Sequence, residues 1–190
     1  MVRPLILALA GSLSLLIASA HANLDLTPKL SEYELDGVKF KQLAFSDGSK
    51  VVTYAPPRGW DYSGSATQLT LRPRGKSQAE AKITKVALSQ PASFDQETVN
   101  KLVQKAIASV PPGSTDIQLV SQEKNPLKIE RKETFLVTLS YSFYGEAHKR
   151  SILLLNRGTD QIQFQLDCRQ VDFRELQTAF LDSQHSWQNL

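Results

Sequence analysis

Cysteine is nearly missing from this chain. Of 190 residues only Cys168 carries a thiol, so no intrachain disulfide is possible and a cysteine-based structural zinc site is excluded. Histidine is almost as scarce, and His21, His148 and His185 have no zinc-ligand spacing. The sequence has no Gly-x-Ser-x-Gly elbow, no Walker loop and no dinucleotide-type glycine fingerprint, which removes the commonest legible routes to acyl transfer, nucleotide hydrolysis and hydride transfer. An excess of one charge is lacking too: 22 basic residues face 19 acidic ones, a net of +3. The signs are interspersed, as in Lys128-Ile129-Glu130-Arg131-Lys132-Glu133, which reads as a solvated strand or loop face rather than the basic stripe a nucleic-acid binder needs. Asp25, Asp36, Asp47 and Asp61 are scattered among turns, where a carboxylate caps its own backbone more readily than it binds calcium. No cofactor, metal, catalytic residue or nucleic-acid partner is therefore expected.

Long apolar runs are also few, and the one that exists is at the start. Arg3 precedes Leu5 to Ala20, a stretch free of ionisable side chains, and both Ala18-Ser19-Ala20 and Ala20-His21-Ala22 offer the small-x-small pattern that a signal peptidase pocket admits. Cleavage after Ala22 is preferred. Gly11, Ser12 and Ser14 interrupt the run and no basic stop-transfer cluster follows, so a membrane anchor is the weaker reading and no stable membrane insertion is expected after cleavage. The protein is thus expected to be periplasmic or secreted, with residues 1–22 as leader and 23–190 as one domain large enough for a real core.

Within that domain, Asp36-Gly37 and Asp47-Gly48 supply the positive-φ residues of tight hairpin turns and predict an antiparallel meander over 23–49, continuing into Lys50 to Tyr54. Pro56-Pro57-Arg58-Gly59 stops that strand, Ser63-Gly64-Ser65 reads as a flexible loop, and strands follow at Gln68 to Arg72 and Lys82 to Leu88. Val99, Leu102, Val103, Ala106, Ile107 and Val110 form one helical stripe. Its start is marked by Ser93 with Gln96 as a capping box, or by Asp95 with Phe94 stapling onto Val99. Four strand-like runs come next: Ile117 to Ser121, Thr134 to Tyr144, Arg150 to Asn156 and Gln161 to Cys168. Ile152-Leu153-Leu154-Leu155 is apolar on both faces and belongs at the centre of a sheet. Cys168 could be a reactive thiol or a bridge between chains, but it continues the apolar alternation of Ile162, Phe164 and Leu166 and so reads as a core thiol. A second helix begins at Asp172, with Glu175 completing a capping box and Val171 placed to staple onto Leu176. The expected fold class is α+β: a largely antiparallel sheet of six to eight strands packed by two main helices.

Candidate binding residues are aromatic and arginine groups on loops, the types that anchor interfaces: Trp60 and Tyr62 around Asp61, then Arg72 and Arg74 around Pro73. The competing reading tucks Trp60 under the sheet and leaves the basic loop solvated.

Val51-Val52-Thr53-Tyr54-Ala55-Pro56-Pro57-Arg58-Gly59-Trp60 resembles the strand-Pro-x-Gly-Trp opening of the Mog1/PsbP-like superfamily, and the order of elements from about Lys50 to Trp187 is similar to that fold. The resemblance makes 50–190 the core and 23–49 an N-terminal extension beyond the minimal pattern. It implies a non-enzymatic binding or assembly role, as in photosystem accessory subunits, a GTPase-binding transport factor and bacterial envelope proteins. It supplies no functional residue, because neither a metal-binding histidine pair nor a GTPase-binding signature is present here. The leading expectation is an exported accessory protein that binds another envelope protein. Two rivals stand beside it. A hydrolase assembled from separate strands predicts a deep pocket holding His148 with a carboxylate, and a carrier predicts a large apolar cavity between sheet and helices.

Overall fold

The computed structural model describes residues 24–90, 92–158 and 160–190; the expected leader, with its cleavage point at Ala22, lies outside them. Among the described residues no helix is long and apolar enough to cross a membrane.

The chain opens with the predicted meander, β1 (Leu24–Leu35), β2 (Val38–Asp47) and β3 (Lys50–Tyr54), joined at its far edge by the short C-terminal β11 (Gln188–Asn189). Asp36 and Gly37, at φ 51° and 77°, make the two-residue turn between β1 and β2 that an Asp-Gly pair favours. The second turn sits one residue later than expected: Asp47 still pairs with Lys50, and Gly48-Ser49 makes the bend. The boundary expected between 49 and 50 therefore falls between two hydrogen-bonded strands of one small sheet.

Two consecutive prolines, Pro56 and Pro57, lack the N–H groups a ladder needs, and the chain leaves the small sheet there. It enters a second, seven-stranded sheet, so the single sheet expected from the sequence is two sheets. The second sheet contains β4 (Trp60–Gly64), β5 (Gln68–Pro73), β6 (Glu80–Ala87), β7 (Thr115–Lys124), β8 (Thr134–Phe143), β9 (Glu146–Asn156) and β10 (Asp160–Arg169). Their order is β4-β5-β6-β10-β9-β8-β7, antiparallel throughout. The strand β4 replaces the flexible loop expected around Ser63-Gly64-Ser65. Its Gly64 is needed for close approach, because a Cβ there would stand 2.8 Å from Pro28 Cδ and 3.0 Å from the Leu26 carbonyl oxygen.

The helix α1 (Gln96–Ala108) carries the chain from β6, in the middle of the large sheet, to β7 at its edge, and so lies across one face over β8 and β9. Of its two possible caps the structure selects Asp95, whose carboxylate accepts the Thr98 amide at 2.8 Å, while Phe94 packs with Val99 as the staple. The helical stripe meets Phe135, Val137, Leu139, Ile152 and Leu154.

The opposite face is covered by the small sheet and by α2 (Phe173–Gln184). Leu153 and Leu155 of β9 face this side while Ile152 and Leu154 face α1, as the doubly apolar run requires. Phe164, Leu166, Cys168, Phe180 and Trp187 form the centre of this larger core, and burial pushes the Cys168 thiol up to about 12. The start of α2 corrects the sequence reading. Asp172 occupies the cap position but makes no side-chain cap bond; its carboxylate accepts instead from Lys76 Nζ at 2.6 Å and from Arg169, because two cations outcompete a backbone amide for it. Val171 is exposed and staples nothing. In the Lys128–Glu133 run Glu130 and Arg131 make a turn closed by a bridge between Ile129 and Lys132, and Ile129 is buried in the core.

Candidate functional site

Of the four residues singled out in the sequence, Tyr62 and Arg72 border one small cleft, and Trp60 and Arg74 do not join them in it. Trp60 is half-buried and stacks on Phe180, with ring centroids 5.9 Å apart and planes 13° from parallel, on the face covered by α2. Tyr62 is partly exposed on the edge strand β4. Alternation along the strands sends Arg72 to the other face, where it pairs with Glu80. Arg74, in the turn after β5, grips Asp61 through Nε and Nη2 at 3.0 and 2.7 Å, and both groups are solvated.

The face that receives Arg72 is divided. The helix α1 covers β8, β9 and the Gln161 end of β10, and beyond it β10 presents half-buried Gln163, Gln165 and Asp167 toward the uncovered half. Where α1 ends, this open half deepens into a cavity of about 510 Å³. Its floor is a cross-strand row: Arg150 on β9 lies opposite Asp167 on β10, which lies opposite Glu80 on β6. The next rung on one side sets Tyr141 against His148, and the one after sets Phe143 against Glu146. Tyr144, at the tip of the β8–β9 turn, stands over the opening.

The charges on this floor are mutually committed. Arg150 is buried; its Nε donates to Asp167 Oδ1 at 2.5 Å and its Nη1 donates to the carbonyl and hydroxyl oxygens of Ser109, closing the C-terminal end of α1. Asp167 also accepts from the Tyr141 hydroxyl at 3.2 Å and from Gln165 Nε2 at 2.6 Å. Burial and the neighbouring Asp167 charge push the Tyr141 phenol well above its ordinary range, so it stays a donor. Glu80 is held by Arg72 and, at 2.7 Å, by Lys82; burial pushes its carboxyl up, but these two cations outweigh it and keep the group below the usual carboxylate value. A general acid would need the reverse.

His148 lines the same cavity. Its ring stacks on Tyr141 at 5.6 Å and meets the edge of Phe143 at 6.1 Å. Among the described residues no hydroxyl, thiol or carboxylate is hydrogen-bonded to it, so the nucleophile–base–orienter chain that defines covalent hydrolysis is not assembled around it. Among the described residues no cluster of three His, Cys, Asp or Glu side chains is placed to hold a metal.

A second surface lies at the other end of the molecule. Beyond Pro28 the β1–β2 hairpin runs past the core as a two-stranded ribbon. Its register puts Tyr33 opposite Phe40 and Leu35 opposite Val38 on one face, and Glu32 opposite Lys41 and Glu34 opposite Lys39 on the other. The apolar face is uncovered: Tyr33, Leu35, Val38 and Phe40 are all exposed, with Tyr33 and Phe40 stacked at 5.2 Å. Sequence reasoning saw the hairpin and missed its two-faced character, which is legible once Asp36-Gly37 fixes the pairing. The hydrolase reading expected a pocket holding His148 with a carboxylate, and the cavity does bring His148 together with Glu80, Glu146 and Asp167. Which carboxylates these are, and the Arg150 that pairs one of them, were not legible because they come from three strands. Tyr144 alone carried a local signal, as an aromatic ring in a turn position that favours Asn.

Comparison with protein-family profiles and with curated proteins finds no match. Solved structures do match. The cyanobacterial PsbP (CyanoP) of Synechocystis sp. PCC 6803 is similar with a TM-score of 0.52 at 11% identity, over 84% of this chain and 91% of its own. LpqN of Mycobacterium tuberculosis, described as involved in cell envelope biogenesis, is similar with a TM-score of 0.51 at 11% identity, over 85% of this chain and 90% of its own. The likeness concerns the fold: the chain has the α+β Mog1/PsbP-like architecture expected from the Val51-to-Trp60 segment and from the order of elements between about Lys50 and Trp187.

Proposed function

We propose that the protein is an exported accessory protein of the cell envelope, periplasmic or secreted after cleavage at Ala22, that binds a partner protein through its N-terminal ribbon. The carrying observation is the uncovered apolar face of Tyr33, Leu35, Val38 and Phe40. A two-stranded ribbon is at best marginally stable in water without a surface to pack on, and a contiguous exposed apolar patch rimmed by charge is what an interaction site looks like. The envelope part rests on the leader-like residues 1–22 and on the fold shared with LpqN, which is itself involved in envelope biogenesis. The partner site thus moves from the Trp60 region, which the fold uses for packing, to the 23–49 extension.

A photo-crosslinking residue placed at Val38, compared with one at Lys39 on the charged face, tests this in the native compartment. An adduct of one reproducible foreign mass at Val38 and none at Lys39 is the expected result, lost when Phe40→Asp is added. Equal labelling at both positions, or an adduct of twice the chain's own mass, would overturn the partner reading.

A further inference from the structure

Tyr144 is 92% exposed and sits at φ 49° in the two-residue turn between Phe143 and Glu146, with Gly145 at φ 78°. Such a turn favours Asn-Gly, and a bulky aromatic in the left-handed region is an outlier. Apart from its contact with the neighbouring Phe143 ring, the side chain stands in solvent and packs against no other part of the fold. It does stand at the mouth of the 510 Å³ cavity, close to Phe143 at 4.4 Å between centroids, with Tyr141 and His148 behind. The volume lies within the range of small-molecule sites, about 300–1,000 Å³.

The chemistry of the floor selects the class of ligand. On the floor Arg150 neutralises Asp167, and Arg72 and Lys82 neutralise Glu80, so a ligand of either sign would have to break pairs already made there; Glu146, at the rim beside Tyr144, lines the cavity outside any ion pair among the described residues. The paired groups keep spare hydrogen-bonding capacity nonetheless, since a carboxylate has about four acceptor sites and a guanidinium five donors. Gln163 donates to Gln165 at 3.0 Å, and that relay leads to Asp167, extending a strip of planar polar groups away from the aromatic wall. His148 is 8% exposed and makes no hydrogen bond among the described residues, which leaves its ring nitrogens for an occupant. Flat aromatic faces beside internally neutralised, multivalent polar groups suit a ligand that is uncharged, rich in hydroxyls and apolar on its C–H face. We infer that this cavity is a binding site for a neutral oligosaccharide, with Tyr144 as its stacking platform.

The test uses the mature chain with two soluble probes, a glucose tetramer and an N-acetylglucosamine tetramer, and with insoluble peptidoglycan sacculi; spermidine and inorganic phosphate serve as charged probes. Backbone amide shifts in solution NMR locate the site, and cosedimentation reads the polymer. Saturable shifts at Tyr141, Tyr144, His148 and Gln165 with either tetramer are expected, weakened about tenfold or more in Tyr144→Asn, as loss of an aromatic anchor does. That variant restores the residue the turn favours, so it folds. Cosedimentation lost in Tyr144→Asn makes envelope glycan the source, whereas tetramer binding without it makes the source a free oligosaccharide. Absence of shifts with both tetramers together with no cosedimentation, equal binding by Tyr144→Asn, or the same shifts produced by spermidine or phosphate would overturn the assignment. None of these outcomes depends on the ribbon, so the Val38 crosslink stands or falls separately.

Discussion

The two faces of the seven-stranded sheet are made by the same strands and do opposite things. Toward α2 every second residue of β10 is apolar, from Ile162 to Cys168, and the small sheet, α2 and Trp187 seal it completely. Toward α1 the alternate residues are Gln161, Gln163, Gln165 and Asp167, of which the helix buries Gln161 and leaves the others half-buried. Period-two alternation therefore lets a single strand serve the core with one set of side chains and a solvent-facing cavity with the other. The larger core lies on the α2 side, a smaller one lies under α1, and the polar cavity occupies the part of the α1 side that the helix leaves uncovered.

Three measurements sharpen that contrast. The largest effect is expected from Phe180→Ala, which removes a fully buried ring stacked on Trp60 and set edge-on to Phe164; a loss of about 3–5 kcal/mol is expected in denaturant unfolding, against about 0.5 kcal/mol or less for Gln163→Ala on the open side. Comparable losses at both positions would break the division. Cys168 gives a label-based version of the same test. The thiol is wholly buried and raised to about 12, so reaction with a thiol reagent at pH 8 should proceed only as fast as the domain opens, and denaturant should accelerate it by orders of magnitude. Rapid labelling of the native chain would show that the sealed face is not sealed.

The smallest effect concerns α1, the cover of the open face. The Ser93 hydroxyl and the Thr98 backbone N–H hydrogen-bond the Asp95 carboxylate and lower it from 3.8 to about 2. A group depressed in the folded state stabilises above its unfolded value and loses that contribution as pH falls through the folded one. Stability should therefore decline slightly between about pH 4 and pH 2, and Asp95→Asn, which keeps a capping oxygen without the titration, should flatten that part of the curve. An unchanged acid limb would remove the cap from the account.

Local signals in the sequence were sufficient for most of the fold. The Asp-Gly turn, the stripe of α1, the Phe94–Val99 staple and the two-sided apolar run of β9 all depend on neighbours within one element. What escaped was decided between elements. Asp172 looked like a helix cap until Lys76, brought in from the turn after β5, claimed its carboxylate. Trp60 had a loop reading and a packed one, and what decides for packing, the pairing of β4 with β5 and Phe180 beneath it, comes from elements distant in sequence. The make-up of the cavity was illegible for the same reason, its floor being one residue from each of three strands, although a pocket joining His148 to a carboxylate was among the expectations.

The Gly64 contact has a consequence in time. The backbone of β1 is fastened where it passes Gly64, with the Leu26 amide bonded to the Ala66 carbonyl at 3.0 Å, and Leu24 and Leu26 are both sealed in the core. Before β1 can leave, Leu24 and Leu26 must come out of the core and that amide hydrogen bond must break, so release of the first strand waits on opening of the larger core.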